Sequence, residues 1–152
     1  MPEPKKNSEP YILFKLKDTS YAIPSDLVQQ MEMVETFTPV PNAPPFLEGL
    51  VFIRGRVIPA INLRARFGFP RIPYDLKTRL VVVRSDQRSV GLIVDVAREF
   101  MSIDKEDIQP PPERVTGLSG KYLKGIAGVG ERLILILDVD EILSMTADMV
   151  EN

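Results

Sequence analysis

The chain has 152 residues, 44% of them hydrophobic, and 19 Lys and Arg against 21 Asp and Glu give a formal charge of −2. That is enough for one domain burying about two thirds of its unfolded surface, and the scattered basic residues form no footprint for nucleic acid or an anionic membrane. There is no cysteine and no histidine, which excludes disulfides, thiolate metal sites and a thiol nucleophile, and removes the commonest general base and metal ligand.

Met1 to Pro10, MPEPKKNSEP, is polar and punctuated by proline, and reads as a flexible tail over residues 1–10. No signal-peptide core precedes the first strand, and no apolar run approaches the ~18 residues of a membrane span. The expected location is the cytoplasm, without membrane insertion. Tyr11 to Leu16 is strand-like, Lys17-Asp18-Thr19-Ser20 is a polar turn, and Tyr21 to Pro24 returns as its partner. Ser25 to Gln30 is open between a helical turn and a bend, and Met31 to Phe37 reads as another strand. Pro39, Pro41, Pro44 and Pro45 then force an extended loop.

Gly49 to Gly68, GLVFIRGRVIPAINLRARFG, reads as strand, tight turn at Arg54-Gly55, strand and short helix. Asn62 is placed to accept from the free amides of a helix over Leu63 to Phe67, which Gly68 ends. Gly68 to Leu76 is a second proline-rich loop and the expected seam between two halves. Arg79 to Arg84, RLVVVR, has the look of a buried strand, and Val90 to Phe100 carries the return. Met101 to Gly120 reads as a long polar loop. Tyr122 to Val129 and Arg132 to Asp138 form a hairpin around Gly130-Glu131. Val139 to Val150 is the one long helix, opened by Asp138 with Glu141 and given an apolar side by Ile142, Leu143, Met145 and Met149.

The halves repeat. Tyr11–Met31 lies without a gap on Leu80–Phe100 at an offset of 69, which sets Ser20 on Ser89, Ile23 on Leu92 and Asp26 on Asp95. Gly49–Phe67 lies on Gly125–Leu143 at an offset of 76, which sets Arg56 on Arg132, Ile58 on Ile134 and Asn62 on Asp138. The seven-residue difference is an insertion in the second half's long loop. Two ungapped segments that keep their order, turns and helix caps predict two small β units, each too small for a core of its own, packed together with a groove at the seam.

FIRGRVIPAINLRARFG, taken with GLIVDVAREF, QPPPE and YLKGIAGVGERLILILDVDEIL, resembles the CheW family of chemotaxis coupling proteins, in order from about Tyr11 to Leu143. The resemblance implies an all-β chain with one C-terminal helix, built as two pseudo-repeated five-stranded SH3-like β-barrels with a hydrophobic core between them. It implies a single domain over 11–150, with subdomains near 11–68 and 77–138 and a helix over 139–150. It also implies a non-catalytic adaptor, without cofactor or metal, that joins the cytoplasmic tip of methyl-accepting chemoreceptors to the regulatory domain of a CheA-type histidine kinase.

The family's N-L-R-G turn is Phe52-Ile53-Arg54-Gly55 here, so its functional arginine falls on Arg54, and the glycine before that hairpin's first strand on Gly49. The family's V-Q-E-I segment is Val28-Gln29-Gln30-Met31, with Gln30 where a glutamate is usual, and the family's D-L-R aspartate is Asn62. The protein-binding set is therefore Val28, Gln30, Met31, Gly49, Arg54 and Gly55. Without the usual glutamate, Arg54 either pairs with Glu32 or Glu48 or stays free for a partner's carboxylate. The plainer readings are a hairpin turn with a solvated arginine, and half-buried strand residues at Val28 and Met31. The departures also allow an adaptor for a non-motility chemosensory system. A nucleic-acid-binding small barrel is the rival of another class, and the aromatics Tyr11, Phe14 and Tyr21 lack the clustered Lys or Arg it needs. Asp104, Glu106 and Asp107 lack EF-hand spacing and read as a solvated run. The glycines Gly125, Gly128 and Gly130 precede a strand and make no dinucleotide fingerprint.

Overall fold

The computed structural model describes residues 7–86, 88–112 and 122–143. In chain order the strands are β1 (Ser8–Leu16), β2 (Thr19–Pro24), β3 (Val28–Met33), β4 (Leu47–Ile53), β5 (Arg56–Asn62), β6 (Arg79–Ser85), β7 (Arg88–Val94), β8 (Val96–Asp104), β9 (Ile108–Gln109), β10 (Leu123–Val129) and β11 (Arg132–Leu137). A short helix, α1 (Leu63–Arg66), follows β5, and residues 139–143 are helical after β11. One sheet runs β8-β1-β2-β11-β10-β9 and the other β3-β6-β7-β5-β4. They are the two SH3-like barrels.

Three apolar clusters follow from this layout. Tyr11, Leu13, Ala22, Ile103, Ala127, Ile134 and Ile136 fill the first barrel. Ile58, Ala60, Leu80, Val82 and Ile93 fill the second. The largest cluster draws Phe14, Tyr21, Val81, Leu92 and Leu137 from both sheets, and the helical residues Leu63, Ile142 and Leu143, with Phe67 at the end of α1, pack into it. A strand buried on both faces must be apolar at consecutive positions. That is why RLVVVR shows no alternation: Leu80 and Val82 point into their barrel, Val81 and Val83 into the shared core.

The repeat holds at the level of strand register. Tyr11 opposes Pro24 in β1–β2, and Leu80 opposes Ile93 in β6–β7. Leu47 opposes Ile61 in β4–β5, and Leu123 opposes Leu137 in β10–β11, with the same register shift two residues on. The irregularity at Gln29 in β3 has its counterpart in β8, where Leu13 and Phe14 oppose Glu99 and Ala97. The halves nevertheless do not form separate subdomains over 11–68 and 77–138. Strand β2 pairs in parallel with β11, β5 pairs in parallel with β7, and β3 and β8 each cross to a hairpin of the opposite half. Each barrel is completed by strands from the other half. The reason is cover: β1 and β6 are apolar on both faces, and a half by itself cannot bury both.

Other expectations shift. Ser8–Pro10, expected in a flexible tail over 1–10, belong to β1 and pair with β8, and residues 1–6 of that expected tail lie outside the described residues. The strand expected over Met31 to Phe37 begins earlier, at Val28, because Ser25–Leu27 form a 3-10 turn that leads straight into the pairing with β6. The loop expected from Met101 contains the end of β8, a 3-10 turn at Lys105–Asp107, and β9. Asn62 caps α1 as expected, accepting from the Ala65 amide at 3.0 Å, and Asp138 accepts from the Glu141 amide at 3.1 Å. The rest of the helix expected to residue 150, with Met145 and Met149, lies outside the described residues.

An ion pair ties the halves together. Arg64 on α1 grips Asp95, between β7 and β8, with Nε to Oδ1 at 2.8 Å and Nη2 to Oδ2 at 2.7 Å. Both side chains are largely buried. Asp95 also accepts from the Lys17 amide in the β1–β2 turn at 2.7 Å. These hydrogen bonds raise the Arg64 pKa above its ordinary value, and partial burial opposes them. Asp95→Asn removes the charge and leaves Arg64 behind, and is expected to cost about 2–4 kcal/mol in denaturant unfolding. Leu143→Ala, at a side chain only 1% exposed, is expected to cost about 2–5 kcal/mol by the same measurement. Unchanged stability in either variant contradicts the packing described.

Candidate functional site

The β4–β5 hairpin closes through Arg54 at φ 49° and Gly55 at φ 78°. Both turn residues have positive φ, which matches the right-handed twist of the strands they join. Gly55 accepts this freely. Arg54 does so at a steric cost. Its side chain is exposed and forms no hydrogen bond or ion pair with any described residue. Both acids that the sequence offered it are engaged elsewhere. Glu32 accepts from Gln30 Nε2 at 2.7 Å. Glu48 pairs with Arg71 and accepts from Asn62 Nδ2 at 3.4 Å. Arg54 is the free alternative of the two that the sequence left open.

Arg54 stands at a groove of about 450 Å³ between the two edges of the second sheet, β3 and β4. Val51, Ile53, Phe37 and Leu80 give it apolar walls, and Glu32 and Glu35 add carboxylates. Met33 is 53% exposed beside it and Phe52 69%. The nearby turn is braced: Arg56 Nη2 donates to Ser89 Oγ at 3.2 Å, and that hydroxyl donates to Gln29 on β3 at 2.8 Å.

The residues expected at a binding surface separate into three groups. Arg54 and Gly55 form the exposed turn. Gln30 and Met31 lie on edge strand β3, Met31 outward and Gln30 half-buried against Glu32. Val28 packs against the core between the barrels and does not line the groove. Gly49 is buried, and a Cβ there would lie 2.3 Å from the Thr38 carbonyl oxygen. Thr38 bridges to Leu50 at that point, with both backbone hydrogen bonds formed. Gly49 therefore lets two backbones cross and presents nothing to a partner. Met33, Phe52, Glu35 and Phe37 were not expected at the site. The outward position of Phe52 between inward Val51 and Ile53 was readable from alternation. The return of the 34–38 segment across β4 was not.

A second unexpected feature lies at the seam. The Arg66 guanidinium is buried, 4.3 Å from the Phe46 ring centroid and 5.1 Å from that of Tyr122. Among the described residues its Nε and Nη2 have no hydrogen-bond partner, and the aromatic faces provide a stabilising contact. Among the described residues no cluster of acids could hold a metal ion, and no helix is long and apolar enough to cross a membrane.

Gly49→Ala is expected to destabilise the fold far more than Gly55→Ala, where a Cβ meets nothing within 4 Å and only the backbone strain of about 1 kcal/mol remains. Equal melting temperatures for the two variants would contradict the crossing at Thr38.

The family model described as "CheW-like domain" matches residues 10–147. The chain is 33% identical over 134 residues to "Chemotaxis protein CheW" of Klebsiella aerogenes, covering 88% of this chain and 81% of that protein. It is 35% identical over 135 residues to the protein of the same name from Helicobacter pylori, covering 88% and 80%. Among solved structures it resembles the scaffolding protein TtCheW from Thermoanaerobacter tengcongensis, with a TM-score of 0.81, 30% identity, and coverage of 86% of this chain and 89% of that one.

Proposed function

The chain belongs to the CheW-like family and serves as a chemotaxis coupling scaffold; from that premise we propose that it joins the cytoplasmic tip of methyl-accepting chemoreceptors to the regulatory domain of a CheA-type histidine kinase, in the cytoplasm and without catalysis of its own. The observation that carries this reading is the unpaired Arg54 on a braced turn, next to an apolar groove with exposed Met33 and Phe52. Such a surface suits protein recognition: apolar contact supplies area, and a guanidinium supplies two directed hydrogen bonds to a carboxylate. An adaptor needs no more than shaped surface on a rigid scaffold. The receptor surface lies near Met31 and Arg54, and the kinase meets one barrel end through its own domain of matching fold.

Reconstitution tests the reading. Purified chain, receptor hairpin and kinase are sedimented together. Recovery of the chain with both partners is the expected result, and binding to neither contradicts it. Arg54→Ala is expected to lower affinity for a partner about tenfold. Arg54→Lys is expected to lose much of the same, because lysine cannot copy the two-pronged geometry. Melting temperature is expected to hold, since Arg54 has no partner within the described fold. Wild-type recovery of both variants removes Arg54 from the interface, and a large fall in melting temperature makes it a structural residue.

A further inference from the structure

Arg66 ends α1 at the seam between the barrels and is only 6% exposed. Arg64, two residues earlier, has a carboxylate in Asp95. Arg66 has none among the described residues. The last carbonyls of a helix are the usual acceptors for an arginine in this place. Here those of Leu63, Arg64 and Ala65 are already taken by the amides of Phe67, Phe69 and Gly68, at 2.9, 2.7 and 3.1 Å. Nε and Nη2 are left as buried donors without an acceptor among the described residues. The Phe46 and Tyr122 rings, with centroids 4.3 and 5.1 Å from the guanidinium carbon, attract the charge. A ring face does not replace an oxygen acceptor, and a buried ion without one is strongly disfavoured.

Packing alone does not require the charge. At the offset of 76, Phe46 corresponds to Tyr122 and Arg66 to Ile142. Ile142 fills its place as a fully buried aliphatic side chain. The equivalent position of the other half thus accepts a hydrocarbon, and exchanging a buried ion for one is ordinarily neutral or stabilising. A buried cation kept at such a position points to an anion from outside the described chain.

The guanidinium is also within reach of solvent. Nη1 has no hydrogen bond either, yet it is not among the buried unbonded atoms, so it meets the surface. Nη2 lies next to it on the inner side, and Nε beyond. An anion that arrives at Nη1 finds further free donors behind it.

We propose that Arg66 is the receptor of an anion site at the seam, which takes a small carboxylate on two parallel N–H donors beside the Phe46 and Tyr122 rings. A planar carboxylate matches the fixed fork of a guanidinium, and a spherical ion does not. Its binding neutralises the buried charge and so favours the packed arrangement of the two barrels. The site is independent of the adaptor reading and of either protein partner.

The test uses the full chain and sodium formate. In heteronuclear NMR the Arg66 Nε–H resonance, assigned by its loss in Arg66→Lys, is expected to shift saturably with a midpoint on the order of 1–10 mM. Sodium chloride at the same ionic strength is expected to move it little. Thermal unfolding gives a second reading. Formate at roughly ten times that midpoint is expected to raise the wild-type melting temperature by about 3 °C over equal chloride. Arg66→Ile, which copies the equivalent position, is expected to lose that increment. An Nε–H resonance that formate leaves in place overturns the proposal, whether or not the isoleucine variant folds. So does an equal response to the two salts, or a formate increment that Arg66→Ile retains.

Discussion

The pairing that the rest of the structure depends on is the parallel match of β2 with β11 and of β5 with β7. Each joins a hairpin of one half to a hairpin of the other. Without it, four short hairpins would each expose an apolar face, and isolated hairpins are marginal in water. With it, the chain has two closed units and a third cluster between them. The two barrels cannot be separated by cutting the chain at its seam, because each owns strands from both sides of that seam. Folding of the first barrel accordingly waits for contacts across more than half of the sequence, such as Ser20 with Ile134, which places high demands on loop closure.

The same constraint produces the site. The second sheet begins with β3 and ends with β4, and among the described residues these two edges are not hydrogen-bonded to each other. The chain between them pairs with β4 at the Thr38–Leu50 bridge. A groove is the consequence. In the first barrel the corresponding segment pairs over two residues as β9, and Ile108 packs on the barrel core. The insertion read from the offsets lies in this part of the second half. One barrel is more fully closed by its own chain, and the other keeps an opening that a partner can fill.

Much of this was legible in the sequence. The repeat, its two offsets, the hairpin turns and the Asn62 cap all rest on local chemistry and order, and local chemistry is written in neighbouring residues. The interleaving was not legible. A hairpin such as β6–β7 has the same register and the same alternation whether it joins its own half or the other. The early start of β3 was hidden because its residue types run against its burial: Gln30 and Glu32 are half-buried while Met31 and Met33 face outward. Gly49 entered the binding set through the resemblance alone, and only the approach of Thr38 reveals the crowding. The freedom of Arg54 depended on the partners of two acids, Glu32 held by Gln30 and Glu48 by Arg71 and Asn62. Arg66 carried no signal of burial, since an arginine in a short helix is ordinarily solvated, and its aromatic neighbours come from residues 20 and 56 positions away.

Where the halves match and where they diverge separates scaffold from recognition. Gly49 and Gly125 correspond, and a Cβ at either would collide with the segment that crosses it. Asn62 and Asp138 correspond, and each caps a helix. Phe46 and Tyr122 correspond, and both lie against one guanidinium, Arg66, whose own counterpart is Ile142. The approximate symmetry is thus broken at its centre by a single cation shared between equivalent rings. At the outer surface the divergence is larger: Phe52 faces Gly128 in the alignment, Arg54 faces Gly130, and Gln30 faces Glu99. These are positions where packing imposes little, so partner chemistry can decide them. A duplicated fold that keeps its crossing points and caps while changing one hairpin tip has one rigid frame and two unlike surfaces, which is the geometry a coupling protein requires.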